Sequence, residues 1–146
     1  MKNPPFNKQN LFLHGPVFEG EVYVNERSFL SNKNQQHAEA FSPVKLLIDT
    51  GSNISGLDYR IINQLSLTKY ESPAEVDGVG GIHSVGLYRC VLFLSIFGMK
   101  GLPLDVVAGD YKNSSYNGVI GRDVLQYCRF TFDGPGNSFA LEAIDF

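Results

Sequence analysis

The residues with the clearest capacity for chemistry lie where an apolar segment ends in an acid. Residues 46–48, Leu-Leu-Ile, lead directly into Asp49, and Thr50, Gly51 and Ser52 follow. Glycine and serine after a short apolar segment of strand length indicate an immediate turn. A carboxylate at the end of a buried strand loses hydration, which costs free energy unless hydrogen bonds support the charge. Asp49 is therefore the first candidate for a functional residue.

Two later segments are candidates because of where their glycines lie. Val79, Gly80 and Gly81 stand between two β-prone stretches, which is the composition of a hairpin whose tip carries few side chains. Glycine at this position makes the tip flexible. Further on, residues 119–123 read Val-Ile-Gly-Arg-Asp, with two β-branched residues before a glycine and a helix-compatible stretch after it.

In this order, the Asp-Thr-Gly-Ser turn, the glycine hairpin and the Val-Ile-Gly-Arg-Asp segment resemble the retropepsin-like aspartic peptidases, the single-domain, retroviral type. The resemblance spans residues 17–141. It implies an all-β fold, a closed or folded barrel with a flap hairpin and one or two short helices, acting as a homodimer. Many short β-prone segments separated by tight turns favour the same all-β class.

The resemblance also implies a reaction. Peptide hydrolysis by this route needs two carboxylates that share one proton and hold one water. The sequence has no second Asp-Thr-Gly or Asp-Ser-Gly, so the pair would come from Asp49 of two chains about a two-fold axis. One Asp49 would act as general base while its protonated partner donates to the scissile carbonyl. The implied activity is that of an aspartic endopeptidase on extended protein or peptide substrates, with no cofactor.

The turn residues after Asp49 take supporting roles by resemblance. Thr50 would bond across the dimer axis to the partner's backbone, and Gly51 would let backbone approach the carboxylate. Ser52 would bond the outer oxygen of Asp49. These residues would influence the pKa values of the two Asp49 carboxyl groups without reacting themselves.

Arg122 would open a short helix and bond back toward the catalytic turn. The sequence departs here from the viral pattern, because viral enzymes commonly provide an acid for this arginine where the chain has Asn53. A hydrogen bond to Asn53 or a pairing with Asp58 is expected to substitute.

Contacts with substrate would come from the flap and from apolar subsites. The resemblance implies that the flap closes over the substrate, whose backbone would pair with it as an added strand. The flap residues are Val79, Gly80, Gly81 and Ile82, and the substrate-pocket residues are Ile48, Val119 and Ile120. The expected substrate is a peptide with apolar residues at the scissile bond.

The elements that would position these residues are short strands and two short helices. Asp58 is predicted to cap a helix over 59–65, and a second helix is predicted over 122–127. The predicted hairpin covers 75–88. Strands are predicted over 17–24, 44–48, 85–97, 102–108, 129–133 and 138–144.

The chain is predicted to form a single domain over residues 11–146, preceded by a flexible N-terminal arm over 1–10. Residues 25–42 are polar and lack a helical or strand period, so they are predicted to be a surface loop insertion. Residues 11–13 and 137–146 are apolar enough to be expected as strands that pair between subunits.

Charge and composition limit the classes of molecule that the protein is expected to bind. Twelve Lys and Arg against 15 Asp and Glu give a formal net charge of -3 and a pI near 5.5, without a basic run, which argues against nucleic acid. No apolar run approaches the length of a membrane span, and the first residues lack the apolar region of a secretory signal. The protein is therefore expected to be cytoplasmic and to have no membrane partner. Because the cytoplasm is reducing, Cys90 and Cys128 are expected to be free thiols.

Other chemistries fit the sequence less well. His14, His37 and His83 are not at metal-ligand spacing with the cysteines, so no metal site is expected. A Cys-His nucleophile pair has no flanking signature. The glycines at 78, 80 and 81 could suggest a dinucleotide site, yet a glycine is missing at 83 and a strand-like stretch follows.

Two alternatives concern the Asp49 turn itself. An acid two residues before Gly-Ser also resembles the phosphate loop of actin-like sugar kinases, but that fold needs two α/β lobes. The stronger alternative is the same fold without catalysis, a dimerisation or peptide-binding module that keeps Asp49 for structure. Asp49 together with a glycine hairpin favours the peptidase, because a purely structural module needs neither a buried acid nor a mobile lid.

Overall fold

The computed structural model describes residues 10–33, 41–69, 74–78 and 81–144. Within them the helices are α1 (Asn10–His14), α2 (Glu26–Lys33), α3 (Tyr59–Leu65) and α4 (Arg122–Leu125), with a 3-10 helix at Ser95–Phe97. The strands are β1 (Val17–Tyr23), β2 (Phe41–Ile48), β3 (Gly56–Asp58), β4 (Thr68–Lys69), β5 (Ala74–Gly78), β6 (Gly81–Val85), β7 (Tyr88–Phe93), β8 (Leu102–Gly109), β9 (Gly118–Ile120), β10 (Cys128–Asp133) and β11 (Ser138–Ala143).

Six of these strands close into a barrel. They pair in the order β1, β2, β9, β3, β8 and β7, and β1 also pairs with β7, which completes the ring. The β2–β9 and β3–β8 pairs are parallel, and the other pairs of the ring are antiparallel. The predicted all-β class, a closed barrel with few short helices, is confirmed.

Alternation along the strands fills the barrel. On β2, Val44, Leu46 and Ile48 are buried, whereas Lys45 and Leu47 between them are not. Successive side chains of a strand point to opposite faces, so one set faces the core and the other faces outward. The core is completed by buried apolar side chains from the other strands, including Phe18, Val22, Leu57, Leu92, Leu104, Val106, Ile120, Phe139 and Leu141.

Helix α3 confirms the prediction for residues 59–65. The carboxylate of Asp58 accepts a hydrogen bond from the amide of Arg60, which satisfies one of the free donors of the first turn. Ser66 ends the helix in the left-handed conformation. The face formed by Ile61, Ile62 and Leu65 is buried against the barrel.

The prediction of a surface loop over residues 25–42 is wrong for part of that range. Residues 26–33 form α2, and β2 already begins at Phe41. Phe29 is only 2% exposed and contacts Tyr23 edge-to-face and Phe93 with tilted rings. Residues 34–40, the remainder of the predicted loop, lie outside the described residues, as do residues 1–9 of the predicted arm.

One of the two predicted intersubunit strands is also corrected. Residues 11–13 are helical in α1, where Leu11 is buried in the core while Phe12 is 91% exposed. At the other end of the chain, β11 pairs with β10 of the same chain from Asp133 opposite Ser138 onward. The strand predicted over residues 11–13 is therefore wrong. Residues 138–143 do form a strand, and its pairing between subunits stays a prediction.

The hairpin predicted over 75–88 is present as β5 and β6, which pair antiparallel with Gly78 opposite Gly81. Val79 and Gly80, the predicted tip, lie outside the described residues. The single long strand predicted over 85–97 is instead divided into β6, β7 and the 3-10 helix. Among the described segments, no helix is both long and apolar enough to cross a membrane.

Both cysteines are free thiols, as predicted. Burial, with a smaller contribution from the carboxylates of Asp105 and Asp123, raises the pKa of the Cys90 thiol to about 12. Burial also raises the pKa of Cys128. A reactive cysteine needs a lowered thiol pKa, so neither residue has the character of a nucleophile.

Candidate active site

The candidate site is built on the turn that follows β2. The amide of Ser52 donates to the carbonyl of Asp49 at 3.2 Å, and the amide of Gly51 donates to Oδ1 of the Asp49 side chain at 2.9 Å. A Cβ atom on Gly51 would lie 3.2 Å from the same oxygen, so glycine permits this close approach. The carboxylate of Asp49 is thus oriented by backbone while remaining partly exposed.

A second segment, the end of β9 and the start of α4, holds this turn from beneath. The amide of Asp49 donates to the carbonyl of Ile120 at 2.9 Å, continuing the parallel pairing of β2 with β9. The amide of Arg122 donates to the carbonyl of Ser52 at 2.8 Å. A Cβ on Gly121 would lie 2.9 Å from the carbonyl oxygen of Ser52, so this contact requires glycine.

Ser55 and Asp123 form the centre of this junction. The Ser55 hydroxyl donates to Oδ1 of Asp123 at 2.7 Å and accepts from the amide of Gly121 at 2.9 Å. The Ser55 amide donates to Oδ2 of Asp123 at 2.9 Å. Neither residue has a role that the sequence predicts, because 68 positions separate the partners and only the fold brings them together.

Arg122 contacts the turn, but through backbone. Its guanidinium donates to the carbonyl of Thr50 at 2.8 Å. The expected alternative pairing with Asp58 is wrong, since Asp58 is bonded by Arg60. The role expected for Ser52 is wrong as well, because its hydroxyl donates to the carbonyl of Ile54 at 2.7 Å and not to the outer oxygen of Asp49.

Two of the predicted substrate-pocket residues belong to the core. Ile120 is 0% exposed and Ile48 is 6% exposed, and both pack inside the barrel. Val119, which precedes Ile120 and pairs with Leu47, is partly exposed and therefore faces outward. The prediction of an open apolar pocket formed by Ile48 and Ile120 is corrected accordingly. Val119 is the pocket candidate that the fold leaves accessible.

The remaining predicted site residues lie in the Asp49 turn and in the hairpin. Thr50 is exposed at the turn. Gly81 and Ile82 lie in β6, the second strand of the hairpin, and Val79 and Gly80 lie outside the described residues. Within the described residues, no group of three or more His, Cys, Asp and Glu side chains is arranged to hold a metal ion.

A buried acid links α3 to the loop over residues 110–117. Asp58 is 5% exposed, and besides capping α3 it accepts two hydrogen bonds from the Arg60 guanidinium and one from the amide of Tyr111. Arg60 also donates to Asp110 at 3.2 Å. Burial would raise the pKa of Asp58, but the hydrogen bonds from Arg60 and Tyr111 outweigh it and hold the pKa below its usual range.

We expect Asp58→Asn to lower the free energy of unfolding at pH 7 by about 2 kcal/mol, the usual loss when a charged hydrogen-bond acceptor is removed. Because the folded pKa is depressed, ionised Asp58 stabilises the fold above the unfolded pKa of about 4, and this stabilisation is lost as the pH falls through the folded pKa. The difference between parent and variant should therefore shrink in acid. Urea unfolding followed by circular dichroism at neutral and acid pH measures it.

The control is Asp110→Asn, which removes the exposed partner of the same arginine. An exposed ion pair contributes little, so this variant should unfold almost like the parent. Equal effects of the two substitutions, or a loss for Asp58→Asn that does not change with pH, would contradict the assignment.

Comparison with known proteins shows a likeness at the level of structure and none at the level of sequence families. No protein-family model and no curated protein matches the chain. Among solved structures it is similar to the EIAV protease complexed with the inhibitor HBY-793, with a TM-score of 0.44 and 24% sequence identity, over 57% of this chain and 75% of that chain. The fold assignment itself rests on the strand pairing described above.

Proposed function

We propose that this protein is an aspartic-type endopeptidase that acts as a homodimer on extended polypeptides. The observation that carries the proposal is the geometry of Asp49. Asp49 directly follows a core strand and stays partly exposed. One oxygen of its carboxylate accepts a hydrogen bond from the amide of Gly51. A backbone donor that fixes a carboxylate leaves the second oxygen available for a water or for a partner carboxylate.

The need for a second chain follows from the chemistry. Two carboxylates close together share one proton, because like charges at that distance cannot both be ionised. The sequence contains one Asp-Thr-Gly and no Asp-Ser-Gly, so a single chain provides one such acid. A two-fold axis beside Asp49 would supply the other, and the two roles would be interchangeable.

In the proposed reaction, the ionised Asp49 takes a proton from the water as it attacks the scissile carbonyl. The protonated Asp49 of the partner donates its proton to the carbonyl oxygen, which gives a tetrahedral intermediate. The junction of Ser55, Gly121 and Asp123 supports this by keeping the turn rigid under the reacting atoms. The resemblance of the sequence to the retropepsin-like peptidases supports the same reaction.

The first test is assembly. At about 100 μM, where a dimer of micromolar Kd is mostly assembled, light scattering should give twice the 16.2 kDa of the chain. Cleavage per chain should also fall on dilution, since the site exists only in the dimer. A monomeric mass together with cleavage that does not depend on concentration would rule out the shared site.

The second test separates the peptidase from a silent module of the same fold. The purified protein is incubated with an unfolded protein, with and without a statine-containing peptide that mimics the tetrahedral intermediate. A peptidase cleaves the chain and is blocked by the mimic. A dimer that binds extended peptides and leaves them intact would instead identify the binding module.

A further inference from the structure

Asp49 shares one face of the barrel wall with residues of three other strands. Leu47 pairs with Val119, Val119 pairs with Gly56, and Gly56 pairs with Val107. Directly paired residues of neighbouring strands lie on the same face of a sheet. Leu47, Val119 and Val107 are partly exposed, so this is the outer face. Asp49 follows Leu47 by two positions and therefore lies on the same side.

Tyr111 covers the middle of this row. A Cβ on Gly56 would lie 2.9 Å from the hydroxyl oxygen of Tyr111, so the missing side chain makes room for the phenol. The ring of Tyr111 also packs on Gly109, where a Cβ would lie 2.9 Å from a ring carbon. The hydroxyl is thus held over the row that leads from Val107 through Val119 toward the Asp49 turn.

The loop that carries Tyr111 is fixed at its start. The amide of Tyr111 donates to the buried carboxylate of Asp58 at 3.1 Å, and the Tyr111 ring packs on Tyr116 with centroids 5.8 Å apart. Asp110 beside it is bonded by Arg60. These contacts set the direction of the Tyr111 side chain before any ligand arrives, which lowers the entropy cost of using it in binding.

The Tyr111 hydroxyl is available to donate a hydrogen bond to a ligand. Within the described residues it makes no hydrogen bond, although the side chain is largely covered. Burial, then the neighbouring Tyr116 and the carboxylates of Asp49 and Asp58, raise the pKa of the phenol, so it stays protonated. A neutral phenol can donate one hydrogen bond to an acceptor that enters from the outer face.

We propose that Tyr111 is a substrate-binding residue of the Asp49 site, whose hydroxyl donates to a carbonyl of the extended peptide while its ring, with Tyr116, packs against a peptide side chain. The inference rests on the proposed function and adds to it a residue that selects the substrate. Neither tyrosine was a candidate from the sequence.

The test compares Tyr111→Phe with Tyr59→Phe, two variants that each remove one phenol hydroxyl. Tyr59 is exposed on α3 and serves as the control. Tyr111→Phe should lower kcat/KM for a peptide substrate about fivefold, the usual effect of one neutral hydrogen bond, through KM and with kcat unchanged. Tyr59→Phe should equal the parent. Parental KM in Tyr111→Phe would overturn the proposal.

A second readout does not depend on cleavage. In protein labelled with ring-13C tyrosine, the Tyr111 signal is assigned by its loss in Tyr111→Phe. Asp49→Asn should lower the titration midpoint of that signal, and a statine-containing peptide should shift it. If the signal responds but no variant cleaves peptides, the proposed function fails while the contact stands. If the signal ignores both changes, the contact is refuted whether or not the protein cleaves.

Discussion

Asp49→Asn is expected to abolish peptide hydrolysis while the barrel stays folded. Asparagine has the shape of aspartate and still accepts the hydrogen bond from the amide of Gly51, so the turn keeps its geometry. It cannot take or give the catalytic proton, and in a homodimer both acids disappear at once. General acid-base catalysis contributes about 100- to 10,000-fold, so the rate should fall at least about 100-fold. Peptide cleavage and the thermal unfolding curve are measured on the same sample.

The matched control is Glu19→Gln, which removes the same charge from an exposed position on β1. It should retain parental activity. Mixing the two chains adds a second test, because in the proposed homodimer a chain with Asp49→Asn should still assemble with the parent. With equal amounts of the two chains, random pairing should reduce activity per parent chain to about half. Parental cleavage by Asp49→Asn would assign the chemistry to another residue, and mixing without effect would argue against a shared site.

Local signals in the sequence were enough to find the turn and one helix. Asp58 before an apolar-periodic stretch predicted both the cap and the extent of α3, because capping depends on residues two or three apart. The Asp49 turn was visible for the same reason, since an apolar strand followed by glycine and serine is a local pattern. The barrel class followed from many short strands of this kind.

The face of each strand was predicted less well, although the signal was present. Neighbouring residues of a strand point to opposite sides, so Ile48 cannot share the face of Asp49, and Ile120 cannot share the face of Val119. Counting positions along residues 44–49 would have assigned Ile48 to the core, where it is buried. The outer row that includes Val119 and Gly56 follows from the same count once the register is known.

Features that depend on distant residues were not predictable. Helix α2 is polar along most of its length and is anchored by Phe29 among aromatic side chains of β1 and β7, so no periodicity marked it. Tyr111 became a candidate only when the fold put it over Gly56. In both cases one large side chain fills a space that other elements of the fold create. The residues next to it in the sequence do not indicate that space, because tertiary context overrides local propensity.

Asp123→Ala is the substitution away from Asp49 with the largest expected effect. The carboxylate accepts from the amide and the hydroxyl of Ser55, which is 3% exposed, and it ties that residue to the start of α4. Removing it leaves a buried amide without an acceptor, which costs more than the hydrogen bond itself. The free energy of unfolding should fall by about 3 kcal/mol. Peptide cleavage should fall too, because the turn under Asp49 loses its support.

Two further variants separate this junction from a general loss of charge. Asp105→Ala removes an acid whose partner, Arg89, is half exposed, and such pairs contribute less than about 1 kcal/mol. Asp123→Asn keeps one oxygen for the Ser55 amide and should fall between Asp123→Ala and the parent. Urea unfolding of the three variants gives the order directly. If Asp123→Ala is no more destabilised than Asp105→Ala, the junction does not hold the turn, and the rigidity of the Asp49 site must come from the β2–β9 pairing alone.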